Sequence, residues 1–200
     1  EPGENVVLTL DLEIQQAAEN SLREHLGTDG RAAVVVMQVE TGDVLALASS
    51  PVSDPNNFIH GFSPGELTRW KDEDLGVQKN RATREQYQAG SIFKPIGPLA
   101  APETVPAPNR LFRVEPNPHN PNKAGISVAG KFFRDTAPPG DYDLKRAITR
   151  SSNSYFIQIG ALPHVFDTVV ALGGRLHLGE RIGVPLLQET AGHFPKAGEE

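Results

Sequence analysis

The sequence predicts an α+β fold in which an antiparallel sheet is flanked by helices, and three observations carry that prediction. Positions 12–26 place apolar residues near helical spacing. Two β-prone runs, 32–39 and 44–48, are separated by a four-residue connection of turn-forming residues. The stretch from 143 to 176 returns to helical patterning. No internal repeat is visible, and the proline-rich stretch between positions 95 and 122 is the one compositionally biased tract.

Element by element, Val6-Val7-Leu8-Thr9-Leu10 reads as a short strand ending at Asp11, whose carboxylate suits the N-cap of the next segment. Leu12, Ile14, Ala17, Ala18, Leu22 and Leu26 then define the apolar stripe of an amphipathic helix, and Gly27 is its stop. Ala32 to Val39 is nearly continuous in Val and Ala, which predicts a strand buried on both faces. Glu40-Thr41-Gly42-Asp43 turns it back into a second strand from Val44 to Ala48. Asp54-Pro55-Asn56-Asn57 is strong turn chemistry, and Trp70, the one tryptophan, reads as a packing anchor. Prolines at 95, 98, 102, 106, 108, 116, 118 and 121 follow. Each costs about 3 kcal/mol inside a helix, so any helix beginning near position 91 is expected to be short or kinked. Asn117-Pro118-His119-Asn120-Pro121 reads as a solvated loop. Asp143 opens a helix through Ile148 or beyond, Asn153 opens another through Ala161, and Val165 to Leu176 forms a third whose end Gly173-Gly174 weakens.

Two hundred residues suit one domain or most of one, and 38% hydrophobic with 22% charged residues is a globular composition. A formal charge of −6 without a basic cluster argues against nucleic acid as a partner. No run of 18 apolar residues is present, so no membrane span is expected within the segment. The chain starts at Glu1 rather than methionine, which suggests a cut from a longer protein and makes a missing leader uninformative. With no cysteine there is no disulfide, thiolate site or thiol nucleophile. The six histidines are scattered without an H-x-x-x-H pair, so no metal and no cofactor are expected.

Chemistry concentrates in Ser91-Ile92-Phe93-Lys94 and Ser151-Ser152-Asn153. In S-x-x-K, one helical turn brings an amine beside a hydroxyl. A serine is a weak nucleophile until a base removes its proton, and a partly desolvated neutral lysine serves as that base. S-x-N adds a hydroxyl that relays a proton and an amide that holds a substrate. Taken alone, S-x-x-K arises easily by chance and then marks an exposed helix face. Gly90 before the tetrad and Pro95 after it favour a tight helix entry instead. Together the two motifs describe acyl transfer through a serine ester, and they belong to the pattern of penicillin-recognising serine enzymes.

The resemblance extends well beyond these motifs. Residues 6–19, Thr41-Gly42-Asp43-Val44-Leu45-Ala46-Leu47-Ala48-Ser49, Asp54-Pro55-Asn56, Asn80-Arg81-Ala82, Tyr87, Gly90 to Ile96, Leu144 to Ile148 and Ser151 to Phe156 resemble, in order, the transpeptidase domain of class B penicillin-binding proteins. The resemblance implies a β-lactamase/D,D-peptidase-like fold working at the outer face of the cytoplasmic membrane, in the periplasm, anchored by a segment not present in this chain. The implied substrate is a peptidoglycan stem peptide ending in D-alanyl-D-alanine, with β-lactams acylating the same serine and cell-wall synthesis proteins as partners. Ser91 would be the nucleophile, Lys94 its base, Ser151 a proton relay to the leaving amine, and Asn153 a holder of the donor's backbone.

The sequence departs from the family pattern in three places. A K-T-G or K-S-G strand is absent: Lys123-Ala124-Gly125 precedes the second motif, and Lys196-Ala197-Gly198 lacks the hydroxyl and lies in a polar tail. Pro98 and Pro102 fall where the family has a continuous helix, and Ala89 stands where a proline is usual. Residues 1–200 therefore read as the N-terminal part of such a domain, lacking the C-terminal strands, with an open hydrophobic edge on the remaining ones. An oxyanion donor missing with the third motif costs about 100- to 1000-fold, so the segment alone is expected to be a slow or inactive catalyst. Two alternatives stand beside the transpeptidase reading. One is a non-catalytic or β-lactam-sensing module; the other is a class D-type β-lactamase, which must bring water to the ester.

Overall fold

Asp11 caps the first helix, α1 (Leu12–Leu26), its Oδ1 accepting from the N–H groups of Glu13 and Ile14 at 2.9 and 3.0 Å. Gly27, at φ 69°, ends it. The computed structural model describes residues 3–100, 110–186, 188–196 and 198. These fall into two compact units, Glu1–Gln86 with Gly183–Thr190 and Tyr87–Ile182 with Ala191–Glu200.

In the first unit α1 lies on a hairpin of β1 (Ala32–Met37) and β2 (Val44–Ser50), paired antiparallel with Ala32 opposite Ser50 and Val35 opposite Leu47. Ala46 and Ala48 are buried against Ala18 and Leu22, with Ile14, Ala32, Val34 and Val36 packed around them. Small β2 side chains let the helix approach the sheet closely. One face of β1 packs toward α1 and is partly buried at Val34 and Val36, whereas Val35 and Met37 remain 48% and 50% exposed. The expectation of burial on both faces fails because side chains alternate across a strand and α1 covers one side. A Val/Ala run specifies a strand but not a second covering layer.

The expected strand at 6–10 is also absent, since residues 3–11 carry no helix or strand assignment. This run meets the outer edge of β2 through Thr9 Oγ1 to Val44 O at 2.7 Å and Asp11 N to Leu45 O at 2.9 Å. Gln15 Oε1 accepts from Leu47 N at 2.7 Å, so side chains satisfy groups that a ladder would otherwise use. Three short helices follow: α2 (Asn57–His60), α3 (Pro64–Lys71) and α4 (Arg81–Arg84). Trp70 is the anchor expected of it, packed against Phe58 and Phe62 with ring centroids 6.1 and 5.8 Å away.

The second unit begins with a 3₁₀ turn (Gly90–Phe93) and α5 (Ile96–Ala100). Helix α5 is described over Ile96–Ala100 and starts two residues before Pro98, so this proline lies in its first turn, where a missing N–H removes no helix bond. Pro102, Pro106 and Pro108 lie outside the described residues. Strands β3 (Phe112–Val114), β4 (Pro116–Asn117), β5 (Asn120–Val128), β6 (Lys131–Arg134) and β7 (Gly140–Tyr142) form two small antiparallel sheets, β3-β7 and β4-β5-β6. The loop expected around His119 is the tight β4–β5 turn, where Asn117 Oδ1 accepts from His119 N at 2.9 Å.

Helices α6 (Leu144–Arg150), α7 (Asn153–Gly160) and α8 (Val165–Arg175) close the unit. Val114, Ala124, Tyr142, Ala147, Tyr155, Ile159 and Val165 form its core. Helix α8 runs through Gly173-Gly174 to Arg175. A Cβ on Gly173 would lie 2.1 Å from the Phe194 ring, so this glycine serves close approach and does not end the helix. No single helix among the described residues is long and apolar enough to cross a membrane.

Candidate active site

The tetrad and the S-x-N motif meet in the second unit, through the Lys94 amine. Gly90 enters the 3₁₀ turn at φ 60°, a conformation glycine adopts without strain, and leaves Ser91 exposed. Lys94 N–H donates to Ser91 O at 3.2 Å, closing one turn between the serine and the lysine. The Lys94 side chain then reaches Ser151, donating to its carbonyl at 2.5 Å and to its Oγ at 3.0 Å. The Phe156 ring centroid lies 5.9 Å from the same amine. Partial burial holds the Lys94 amine below its ordinary value of 10.5, while the Asp135 carboxylate pulls the other way. A larger fraction of the free base is therefore present near neutral pH than for a solvated lysine.

Ser151 owes its position to the junction of α6 and α7. Asp143 opens α6, its Oδ1 accepting from Arg146 N at 2.7 Å. The helix ends at Ser151, which adopts φ 51°, ψ 42°, a left-handed conformation uncommon for any residue but glycine and asparagine. Ser151 N donates to Ile148 O and Ser152 N to Ala147 O, satisfying carbonyls at the helix end. Ser152 then caps α7, its Oγ accepting from Tyr155 N at 3.2 Å. One residue on, Asn153 Nδ2 donates to Arg134 O at 3.1 Å. Lys94, Phe133, Arg134, Asn153, Phe156 and Ile157 line a groove of about 400 Å³. Ser91, Lys94, Ser151 and Asn153 thus all lie on elements of one unit, with Lys94 in contact with Ser151 and sharing the groove with Asn153.

Asp135, just after β6, is a residue that sequence reasoning missed. Its Oδ2 accepts from Ser152 Oγ at 2.7 Å and from Ser154 N at 2.8 Å, and its Oδ1 accepts from Ala137 N at 3.0 Å. Burial opposes its ionisation, but these bonds, with the Asn153 N–H, outweigh it and hold the carboxyl below its ordinary value. An aspartate well upstream of S-x-N matches no short pattern, so its role emerges only in three dimensions. The described residues hold no His/Cys/Asp/Glu grouping able to bind a metal ion.

Residues 32–199 match the family model of the penicillin-binding protein transpeptidase domain. The chain belongs to that family. It is 30% identical over 197 residues to the peptidoglycan D,D-transpeptidase MrdA of Escherichia coli, covering 96% of this chain and 29% of that protein. Among solved structures it resembles Pseudomonas aeruginosa PBP2 in complex with WCK 5153, with a TM-score of 0.77 and 30% identity over 98% of this chain and 42% of that one. It also resembles PBP2 in the PBP2–MreC complex from Helicobacter pylori, with a TM-score of 0.74 and 26% identity over 92% of this chain and 32% of that one. The chain spans under a third of the length of its curated relative. The helices and small antiparallel sheets accord with the α+β fold of this transpeptidase family.

Proposed function

We propose that residues 1–200 are part of a peptidoglycan D,D-transpeptidase domain that works through a serine acyl-enzyme, with Ser91 as nucleophile. The observation that carries this reading is Lys94, which lies one backbone turn from Ser91 and whose amine is bonded to Ser151 Oγ at 3.0 Å. In the first half-reaction Ser91 Oγ attacks the carbonyl of the penultimate D-alanine and its proton passes to Lys94 Nζ. The peptide bond breaks, and the departing D-alanine amine receives a proton through Ser151. In the second half-reaction the amine of another stem attacks the ester, loses a proton by the same relay, and Ser91 regains its hydroxyl. Asn153, at the edge of the groove, holds the donor backbone. A β-lactam enters the same first step and leaves Ser91 acylated.

The protein would work on the periplasmic side of the cytoplasmic membrane, as expected for a chain acting on cell-wall peptides. The likeness to PBP2 in its complex with MreC supports a cell-wall protein as a partner of the complete protein. Labelling the complete protein with a fluorescent penicillin tests the assignment. Intact-mass and peptide mapping are expected to place one adduct on Ser91, absent in Ser91→Ala. An adduct on Ser151, or labelling that survives Ser91→Ala, overturns it. Rapid steady hydrolysis of the penicillin would favour a β-lactamase instead.

A further inference from the structure

We propose that Asp135 is a positioning residue of this site: its buried carboxylate holds the first turn of α7 so that Ser151 stays on the Lys94 amine. The inference rests on the reading of Ser91, Lys94 and Ser151 given above. Asp135 is 4% exposed, and its own backbone is fixed before its side chain acts. Asp135 N donates to Ala124 O at 3.0 Å, and Ala124 N donates to Ala137 O at 3.0 Å, tying this segment to β5. The carboxylate then collects the Ser152 hydroxyl and the Ser154 N–H at the start of α7. A buried carboxylate without compensation is costly, and here helix-terminal donors supply the compensation.

Helix capping alone does not account for this arrangement. Ser152 Oγ already accepts from Tyr155 N, which is the capping bond a serine ordinarily provides. Asp135 adds a second tie to the same hydroxyl, immediately beyond left-handed Ser151. A non-glycine residue in that conformation costs about 1–3 kcal/mol and persists only where its surroundings fix it. Releasing Ser152 lets Ser151 relax, and both of its contacts with Lys94 go with it. The charged residues facing the Lys94 amine from the neighbouring strands are Asp135 and Arg134, the latter lining the groove; Ser151, Asn153 and Phe156 are neutral.

The test measures penicillin acylation of the complete protein against pH for wild type, Asp135→Asn, Asp135→Ala and Ser152→Ala, with melting curves and adduct mapping. A misplaced relay is expected to slow the Asp135 variants roughly 10- to 100-fold. Loss of the carboxylate removes the one influence raising the Lys94 pKa, so the midpoint of the basic rise moves to lower pH. That shift reports the lost charge alone, so positioning is read from the acylation rate of the folded protein, which a purely structural role would leave unchanged while lowering the melting temperature. Ser152→Ala breaks the link but keeps the charge, so it slows acylation about tenfold with the midpoint in place. A wild-type rate in a folded Asp135 variant overturns the proposal. A wild-type rate in Ser152→Ala does so even where neither Asp135 variant folds. Wild-type protein bearing its adduct elsewhere than Ser91 instead overturns the reading on which the proposal rests.

Discussion

The Ser91 arm of the candidate site is a 3₁₀ turn entered through a glycine, with Ser91 and Ile92 exposed, and continued by α5. The Ser151 arm is bounded by two capped helices, and behind it Ser152 and Ser154 are fully buried against the Asp135 carboxylate. The first arm is exposed at Ser91 and Ile92, which on the proposed function suits a hydroxyl that must meet a bulky acyl donor. The second has its backbone directions fixed by side chains with no freedom to leave, which suits a relay that must receive a proton at one place. Lys94 belongs to the first arm by sequence and to the second by its hydrogen bonds. The contrast teaches that the candidate site joins an exposed turn carrying Ser91 to a closely bonded frame carrying Ser151 through one lysine side chain.

The strongest way to break that comparison is to remove the group at which the arms meet. In the complete protein, Ser151→Ala is expected to leave penicillin binding largely intact and to slow acylation by roughly 100- to 10,000-fold. Stopped-flow labelling over a range of penicillin concentrations separates the two effects, and an unchanged rate would make the Lys94–Ser151 contact incidental. The frame itself is probed by Ser152→Ala, which leaves the buried Asp135 carboxylate short of a donor and α7 short of its cap. A loss of about 2–4 kcal/mol is expected from urea unfolding. The smallest effect is expected on the other arm. Pro98→Ala should change stability by less than about 1 kcal/mol, because the proline lies in the first turn of α5. A gain near the roughly 3 kcal/mol of a helix-interior proline would show that the helix begins well before Ile96.

Much of this was legible in the sequence. Asp11 and Gly27 bracket α1 as their cap chemistry requires, Asp143 opens α6, and the hairpin of β1 and β2 follows its hydrophobic runs. The two motifs put forward Ser91, Lys94, Ser151 and Asn153 as candidates, and the structure places all four on elements of one unit. Short elements were hidden: β3, β4 and β7 have three residues or fewer, too few to show alternation, and they sit among prolines and glycines that read as loop. Residues 6–10 have strand propensity, but side chains occupy the edge of β2 that a strand would need. The exposed face of β1 was misread because an apolar run reports propensity, not the number of layers packed on it. Asp135 was invisible for a different reason: its partners are backbone groups and a serine far along the chain, and no pattern of residue types encodes them.

The central claim is that Lys94, its pKa lowered by burial, activates Ser91 as the free base. The pH dependence of single-turnover penicillin acylation of the complete protein, compared with Lys94→Ala, tests it most directly. The wild-type rate is expected to rise with pH through a midpoint below 10.5, the ordinary value for lysine, as the amine loses its proton. In Lys94→Ala that rise should vanish together with most of the rate. A wild-type midpoint at or above the ordinary lysine value, or the same rise persisting in Lys94→Ala, would contradict the account and assign the base to another group.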